Sequence, residues 1–265
     1  MNGPVAVSEL QAAWNAVQSG QFRRGPQMSV NAPAAIALAG LSWRSPRSVL
    51  PVIGAHRGAG TTLVALALAT AHGQPTHLVE CAPTVGSGLV AAATAELGPV
   101  GDWSRGTRGA VVIDRLLNAP QTLPTPEPPD GESTLTIVDV ARDLAKLVES
   151  DDWAAEMVRS SDSAVVTSAA TVPGMRQLEA AIFLLGPDKV RAAVLGPAVR
   201  RWPRSVAQAA GPLTRALHDQ GRVVAIPHIK TLAVDGITAA PLPAAITKAA
   251  GNLLDKFTQN EKESS

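Results

Sequence analysis

The stretch VLPVIGAHRGAGTTLVALALATA, residues 49 to 71, places a glycine-bearing loop between an apolar run and an Ala/Leu-rich run. Such a loop binds phosphate when its backbone N–H groups point inward and the next helix presents its N-terminus to the anion. In the general pattern, G-x-x-x-x-G-K-[ST], the lysine neutralises phosphate charge and the hydroxyl coordinates Mg²⁺. Gly60 and Thr62 fit this pattern, but Ala55 replaces the first glycine and Thr61 replaces the lysine. The sequence therefore predicts the outline of a phosphate loop without its main charge.

Two residues of this loop offer a substitute for the lysine, and each has a plainer alternative. Arg57 could bind phosphate through its guanidinium, or it could be an exposed arginine at a loop tip. His56 could carry partial charge at slightly acid pH, or it could be a solvated histidine. Thr61 and Thr62 could also cap a helix with no ligand present. If a nucleotide binds, the expected contacts are the six consecutive residues Arg57, Gly58, Ala59, Gly60, Thr61 and Thr62.

From residue 48 onward, short apolar runs alternate with Ala/Leu-rich runs, and this alternation predicts the strands and helices that position the loop. The predicted strands cover residues 48–54, 75–81, 134–140, 163–169, 190–196 and 222–228. The predicted helices cover residues 61–72, 87–97, 142–160, 172–185, 203–220 and 241–258. Near-continuous apolar strands separated by helices indicate a parallel sheet covered on both faces. With right-handed crossovers, the predicted fold is α/β, with a doubly wound, mainly parallel sheet and helices on both faces.

The chain divides into four parts on the same patterns. Residues 1–47 are expected to hold a helix near residues 8 to 24 and a connector, serving either as a docking helix or as a strap across the core. Residues 48–258 form the α/β domain, and residues 259–265 form a tail. Within the domain, residues 98–133 are expected to be an irregular insertion, because their second half is rich in proline. The run GAVVIDRL inside it could be an extra edge strand or a short helix.

Composition narrows the class of protein. The net charge of +1 gives no overall attraction to nucleic acid or membrane. The single cysteine, Cys81, permits no internal disulfide, and the five histidines show no zinc-ligand spacing. The N-terminus lacks the layout of a signal peptide, and no apolar run is long enough to cross a membrane. We therefore expect a soluble, cytoplasmic protein with no membrane anchor.

Three segments in series resemble the MinD/ParA group of P-loop ATPases. The variant loop of that group reads K-G-G-x-G-K-[ST]-T, and on HRGAGTTL its signature lysine falls on His56 and its general lysine on Thr61. The group's first switch, V-D-x-D-P-x-x-G-G-L, is similar to VECAPTVGSGL, with Glu80 at the first acid and Ala82 at the second. The apolar run LTIVD ends in Asp139, like the aspartate that the group links to Mg²⁺.

This resemblance implies a P-loop NTPase-like fold over residues 48–258, and ATP or ADP with Mg²⁺ as the cofactor if a nucleotide binds. Thr62 and Asp139 would then hold the metal. It also implies weak hydrolysis, because Thr61 and Ala82 replace two charged groups of the family. Losing one charge aimed at a transition state lowers a rate by about a hundredfold or more.

Two further segments could contact other molecules. The run VRRWPRSV places Arg200, Arg201 and Arg204 around Trp202, where they could contact DNA phosphates or simply be solvated. The last helix carries an Ala-rich apolar stripe with no basic residues after it, which favours packing on the sheet over membrane binding.

The resemblance implies a binding, scaffold or positioning subunit of a partition, septum-site, pilus or conjugation-type machinery. Its partners would be proteins, and one of them could be a second copy of the chain. They would bind the loops at residues 82–90 and 98–133 or the N-terminal helix. An active ATPase that uses Arg57, and a DNA-associated positioning protein, are the alternatives.

Overall fold

The computed structural model describes residues 43, 45, 48–118, 120, 122–131 and 133–263. Its strands are β1 Ser48–Gly54, β2 Thr76–Glu80, β3 Ala95–Val100, β4 Trp103–Arg108, β5 Val111–Leu116, β6 Leu135–Asp139, β7 Ala164–Ala169, β8 Val190–Leu195 and β9 Val223–Ile226. Its helices are α1 Thr61–His72, α2 Leu144–Val148, α3 Trp153–Ser160, α4 Val172–Leu185, α5 Arg204–Ala209, α6 Pro212–Asp219, α7 Lys230–Asp235 and α8 Ala244–Glu263. The helix expected within residues 8–24 lies outside the described residues.

All nine described strands form one sheet, in the order β3-β4-β5-β2-β6-β1-β7-β8-β9. The seven strands from β5 to β9 in that order run parallel, whereas β3, β4 and β5 pair antiparallel. The first described strand, β1, therefore lies inside the sheet, with β6 on one side and β7 on the other. Because these strands are parallel, the carboxyl ends of β1, β2, β6 and β7 lie next to one another at the same end of the sheet.

Helices cover the sheet on both faces, which confirms the predicted doubly wound α/β class. One face packs against α1 and α8, whose buried residues include Leu66 and Leu253. The other packs against α3, α4 and α6, with Trp153 and Met175 fully buried. Most of the described apolar stripe of α8 lies in the first of these layers, as the sequence predicted, with buried Ile246, Ala249, Ala250, Leu253 and Leu254. Among the described residues, no helix is long and apolar enough to cross a membrane.

The helix predicted over residues 87–97 is wrong. After a single 3-10 turn at Thr84–Gly86, the chain is irregular until β3 begins at Ala95. Arginines from β4 and β5 bind the backbone carbonyls of this segment: Arg115 donates to Val90 O and Arg108 donates to Ala92 O, both at buried sites beside it. These long-range donors replace the bonds that a helix would have made within the segment.

The interval from 98 to 133 is more regular than predicted in its first half. β4 and β5 lie entirely within it, and the run GAVVIDRL forms β5. β5 is not an edge strand, because β2 and β4 flank it. The Pro-rich half, as far as it is described, contains no helix or strand, as expected.

Two predicted helices are each interrupted. Between α2 and α3, Asp152 accepts from the N–H groups of Ala154 and Ala155 and so begins a new helix. Between α5 and α6, Glu179 of α4 accepts from Leu213 N at 2.9 Å and Thr214 N at 2.8 Å, and thereby caps α6 from another helix. The chain also adds α7, and α8 continues to Glu263 into the segment predicted to be a tail.

Candidate functional site

The loop between β1 and α1 turns through two glycines, and Ala59 N between them donates to His56 O at 3.3 Å. Gly58 and Gly60 adopt left-handed φ values of 74° and 77°, which favour glycine. Gly60 is the N-cap of α1, and it provides no side-chain hydrogen bond to the first turn. Because the first N–H groups of a helix lack partners within it, this end of α1 is suited to an anion.

Thr61, at the lysine position of the loop, is turned toward the sheet. Its Oγ1 lies 2.9 Å from Oγ1 of Thr167, a fully buried residue of β7. A methyl group added at Gly54 would lie 2.8 Å from the same Thr61 oxygen, so the end of β1 also closes around it. Thr61 therefore contributes a hydrogen bond to the fold and no positive charge to the loop.

Thr62 and Asp139, the two residues that the resemblance assigns to a metal, lie in hydrogen-bond contact. Thr62 Oγ1 donates to Asp139 Oδ2 at 2.6 Å. The other carboxylate oxygen of Asp139, Oδ1, is buried without a normal hydrogen bond among the described residues. Burial raises the pKa of Asp139 to about 7; the bond from Thr62 opposes this shift and the nearby charge of Glu80 adds to it.

Glu80 is the second buried carboxylate of the site. It pairs in register with Asp139 across β2 and β6. Its oxygens accept hydrogen bonds from Ser87 Oγ and, at 2.8 Å, from Gly88 N. These bonds hold the loop at residues 82–90, the switch-like loop, against the sheet. Burial raises the pKa of Glu80, although these bonds and the charge of Arg115 oppose that shift.

The switch-like loop at residues 82–90 lies against the first turn of α1. A methyl group added at Gly88 would lie 3.0 Å from Thr62 Cγ2. Ala82, at the position of the second acid, is only 5% exposed and offers no polar atom from its side chain. The acid that precedes this loop, Glu80 at the end of β2, is bonded to Ser87 and Gly88 of the loop.

His56, at the signature-lysine position, folds back onto the sheet. Its Nε2 accepts from Ala169 N at 3.3 Å, and its Nδ1 lies 2.8 Å from Arg57 O. Since Nε2 accepts, Nδ1 is the donor to that carbonyl. The imidazole is thus held between the end of β7 and its own loop.

Arg57 is the cation that the loop presents to solvent. It is exposed, and its side chain makes no hydrogen bond or ion pair with the described residues. The arginines at 200, 201 and 204 are likewise exposed, on a 3-10 turn and the start of α5. Trp202 among them packs against the core and donates from Nε1 to Pro197 O at 3.1 Å, so it does not present a free aromatic face.

Three residues that contact the site were not identified from the sequence. Thr167 and Leu195 approach the loop from β7 and β8, and a methyl group added at Gly60 would lie 2.3 Å from Leu195 Cδ2. Arg115 lies in register with Glu80 on β5. No local pattern marks any of these residues, because each reaches the site only through strand pairing.

The residues present fit a magnesium nucleotide in part. The hydroxyl of Thr62 and the carboxylate of Asp139 are hard oxygen donors of the kind that Mg²⁺ prefers. Among the described residues, no group of three or more His, Cys, Asp or Glu side chains could hold a metal ion, so phosphate and water oxygens would have to complete its coordination. The loop backbone fits phosphate, and the lysine charge is missing.

The fold and this loop together define a doubly wound α/β protein with a P-loop-like cradle. No family model matches the chain, and no curated protein does. Among solved structures, it is similar to a protein assigned to plasmid partition from Borrelia burgdorferi B31 bound to AMPPNP, at 10% identity and a TM-score of 0.49, covering 82% of this chain and 100% of that chain.

Two other similar structures are the Pyrococcus furiosus cell division ATPase MinD and a Cyanothece McdA variant in complex with ATP. MinD is 15% identical with a TM-score of 0.47, over 80% of this chain and 99% of that chain. The McdA variant is 11% identical with a TM-score of 0.49, over 81% and 98%. The similar structures thus include proteins of the MinD/ParA kind, the group that the sequence resembles.

Proposed function

We propose that this chain is a divergent MinD/ParA-like P-loop protein, deficient in hydrolysis, that acts as a binding, scaffold or positioning subunit. The observation that carries the proposal is the hydrogen bond between Thr61 Oγ1 and Thr167 Oγ1, at 2.9 Å. Because of this bond, the side chain at the lysine position of the loop contacts the sheet and does not point to a phosphate. The machinery would be of the partition, septum-site, pilus or conjugation type, in the cytoplasm.

Nucleotide binding is supported by what the loop retains. The N–H groups of Gly58 and Gly60 and the N-terminus of α1 would bind phosphate, and Thr62 with Asp139 would hold Mg²⁺. A bound magnesium nucleotide would supply the divalent charge beside these carboxylates. Because Asp139 has a pKa of about 7, the chain would release its proton when the metal enters.

Poor hydrolysis is supported by the acids of the site. Phosphoryl transfer depends almost wholly on positioned charge. Ala82 offers none, and Glu80 already accepts hydrogen bonds from Ser87 and Gly88. A loop tied down in this way would instead present a fixed surface, at residues 82–90, to a partner protein or to a second copy of the chain.

The enzymatic alternative is favoured by one observation, the free guanidinium of Arg57. It is exposed beside the cradle, with no partner among the described residues. An arginine binds phosphate through two parallel hydrogen bonds. In that case the chain would be an unconventional ATPase with Arg57 as the phosphate charge.

Calorimetric titration with ATP and ADP, with and without Mg²⁺, separates the two. We expect the wild type to bind weakly without turnover, and Thr61→Lys to bind about tenfold more tightly or better, since a hydrogen bond from a charged group contributes about 1.5–3 kcal/mol. Thr61→Val, which adds no charge, is the matched control and should show no gain. Mg²⁺-dependent turnover by the wild type that Arg57→Ala abolishes would refute the proposal and establish the enzymatic alternative.

The DNA-associated alternative depends on the exposed arginines at 200, 201 and 204. It predicts binding of duplex DNA whose affinity falls steeply with salt. Arg200→Ala with Arg201→Ala should weaken that binding equally for unrelated sequences, whereas the scaffold proposal predicts no effect because no such binding occurs.

A further inference from the structure

The two edges of the sheet are built differently. The β3 edge has a register shift between Glu96 and Gly98, a proline at position 99, and an ion pair from Glu96 to Arg115 of β5. Bulges, prolines and charges are the features that keep an edge strand from pairing with another chain. The β3 edge is therefore protected against a further strand.

The β9 edge carries none of these features between Val223 and Ile226. β8 binds β9 through Ala192 N, which donates to Arg222 O, and Gly196 N, which donates to Ile226 O, both at 2.9 Å. In a parallel ladder every second residue faces the same neighbour. The N–H and C=O groups of Val223 and Ala225 therefore face away from β8, and they meet no other strand of the described sheet.

An open groove of about 590 Å³ lies beside this edge. Its lining is mostly small and aliphatic, with Ala198 and Val199 on one side and Ala249 of α8 on the other, while Asn252 and Asp255 of α8 add an amide and a carboxylate. Next to Val199, the exposed side chains of Arg200 and Arg201 make no ion pair with the described residues. The groove thus combines outward-facing strand groups and a mostly aliphatic lining, with two exposed arginines next to Val199 and one carboxylate, that of Asp255, on the α8 side.

We propose that this edge binds an extended, acidic segment of a partner protein, which adds to β9 as a further strand. The outward groups of Val223 and Ala225 would bond its backbone, and small aliphatic side chains would fill the groove. Its acidic end would meet Arg200 and Arg201. A second copy of the chain fits less well, because it presents the same concave groove and two concave surfaces leave each other unfilled.

The proposal concerns a surface other than the loop site and does not depend on nucleotide binding. The test uses the full chain and a probe peptide, acetyl-Asp-Glu-Val-Thr-Val-Ser-Val-amide, with a control peptide in which lysines replace the two acids. Backbone amide shifts in residues 222–226 report where the peptide binds, and a titration gives its affinity. We expect saturable binding of the acidic peptide and much weaker binding of the control.

Two variants make the test specific. Ala225→Pro removes an outward N–H and leaves the bonds to β8 in place, so it should weaken binding about tenfold or more, while Ala225→Val, which keeps the N–H, should not. Arg200→Glu with Arg201→Glu should reverse the preference toward the lysine peptide, and this variant does not depend on Ala225→Pro folding. Binding that Ala225→Pro leaves unchanged, no saturable binding, or a wild-type dimer that Ala225→Pro dissociates would each overturn the proposal.

Discussion

Thr62 Oγ1 donates a 2.6 Å hydrogen bond to Asp139 Oδ2, and thereby joins the first turn of α1 to the end of β6 across 77 positions of sequence. The acceptor carboxylate is fully buried beside a second buried carboxylate, that of Glu80. Burial raises the pKa of Asp139 to about 7, so near neutral pH this site exchanges a proton within the physiological range.

Asp139→Asn should change the pH dependence of stability. The folded state holds the Asp139 proton up to a pKa of about 7, whereas the unfolded chain releases it near 3.8. The folded wild type therefore loses stability as the pH rises through that window, by up to about 4 kcal/mol. Asn, which does not titrate, removes this loss, so the variant should gain on the wild type between pH 5 and pH 8 in urea unfolding. The same substitution at exposed Asp143 is the control, and an equal gain there would contradict the assignment.

Arg105→Met should be strongly destabilising. Arg105 donates from Nε and Nη2 to the carboxylate of Asp114, at 2.8 Å each, and Asp114 is fully buried. Although burial alone would raise it, the pKa of Asp114 is lowered overall by the bonds from Arg105 and His77. Removing one partner leaves a buried charge poorly compensated, which costs about 3–5 kcal/mol in the free energy of unfolding.

Arg159→Met is the matched control for that measurement. The side chains of Arg159 and its partner Glu156 are 40% and 55% exposed, so this pair should contribute at most about 1 kcal/mol. Thermal or urea unfolding of both variants gives the comparison, and equal losses would show that burial does not set the difference.

Gly60→Ala and Gly58→Ala should separate crowding from backbone strain in the loop. Both glycines have left-handed φ values, so each alanine should cost about 1 kcal/mol or more. At Gly60 the added methyl group would also lie 2.3 Å from Leu195 Cδ2, whereas at Gly58 it meets nothing within 4 Å. We therefore expect a larger loss of unfolding free energy for Gly60→Ala, which Leu195→Ala should partly restore.

Arg115→Met should release the switch-like loop. Arg115 Nη1 donates to Val90 O at 2.9 Å and more weakly to Leu89 O at 3.3 Å. Without these bonds, amide hydrogen exchange in residues 88–93 should accelerate about tenfold or more, since each net hydrogen bond contributes about 1 kcal/mol. Exchange in β1 should change much less, and uniform acceleration throughout the chain would indicate global destabilisation instead. Arg200→Met serves as an exposed control.

The sequence predicted β1 and α1 with the bounds that the structure has, because a buried strand, a glycine loop and an Ala/Leu-rich helix are strong local signals. It also singled out Thr62 and Asp139 as metal ligands if a nucleotide binds, and the structure brings these two side chains into contact. It could not predict that Thr61 turns to Thr167, 106 positions away, since this depends on which strand lies beside β1. The helix expected at 87–97 failed for a similar reason: its carbonyls are bound by arginines of strands that follow it.

The antiparallel strands β3, β4 and β5 are consecutive in the chain as well as in the sheet, joined only by Gly101-Asp102 and Gly109-Ala110. β1 instead pairs with strands from distant parts of the chain, with Val52 beside both Asp139 and Val165. Closing long loops costs entropy before any contact repays it. During folding, the antiparallel strands can therefore pair early, through local contacts. The loop between β1 and α1 can form only when β1 pairs with β6 and β7. We therefore expect the candidate site to form after the antiparallel edge of the sheet.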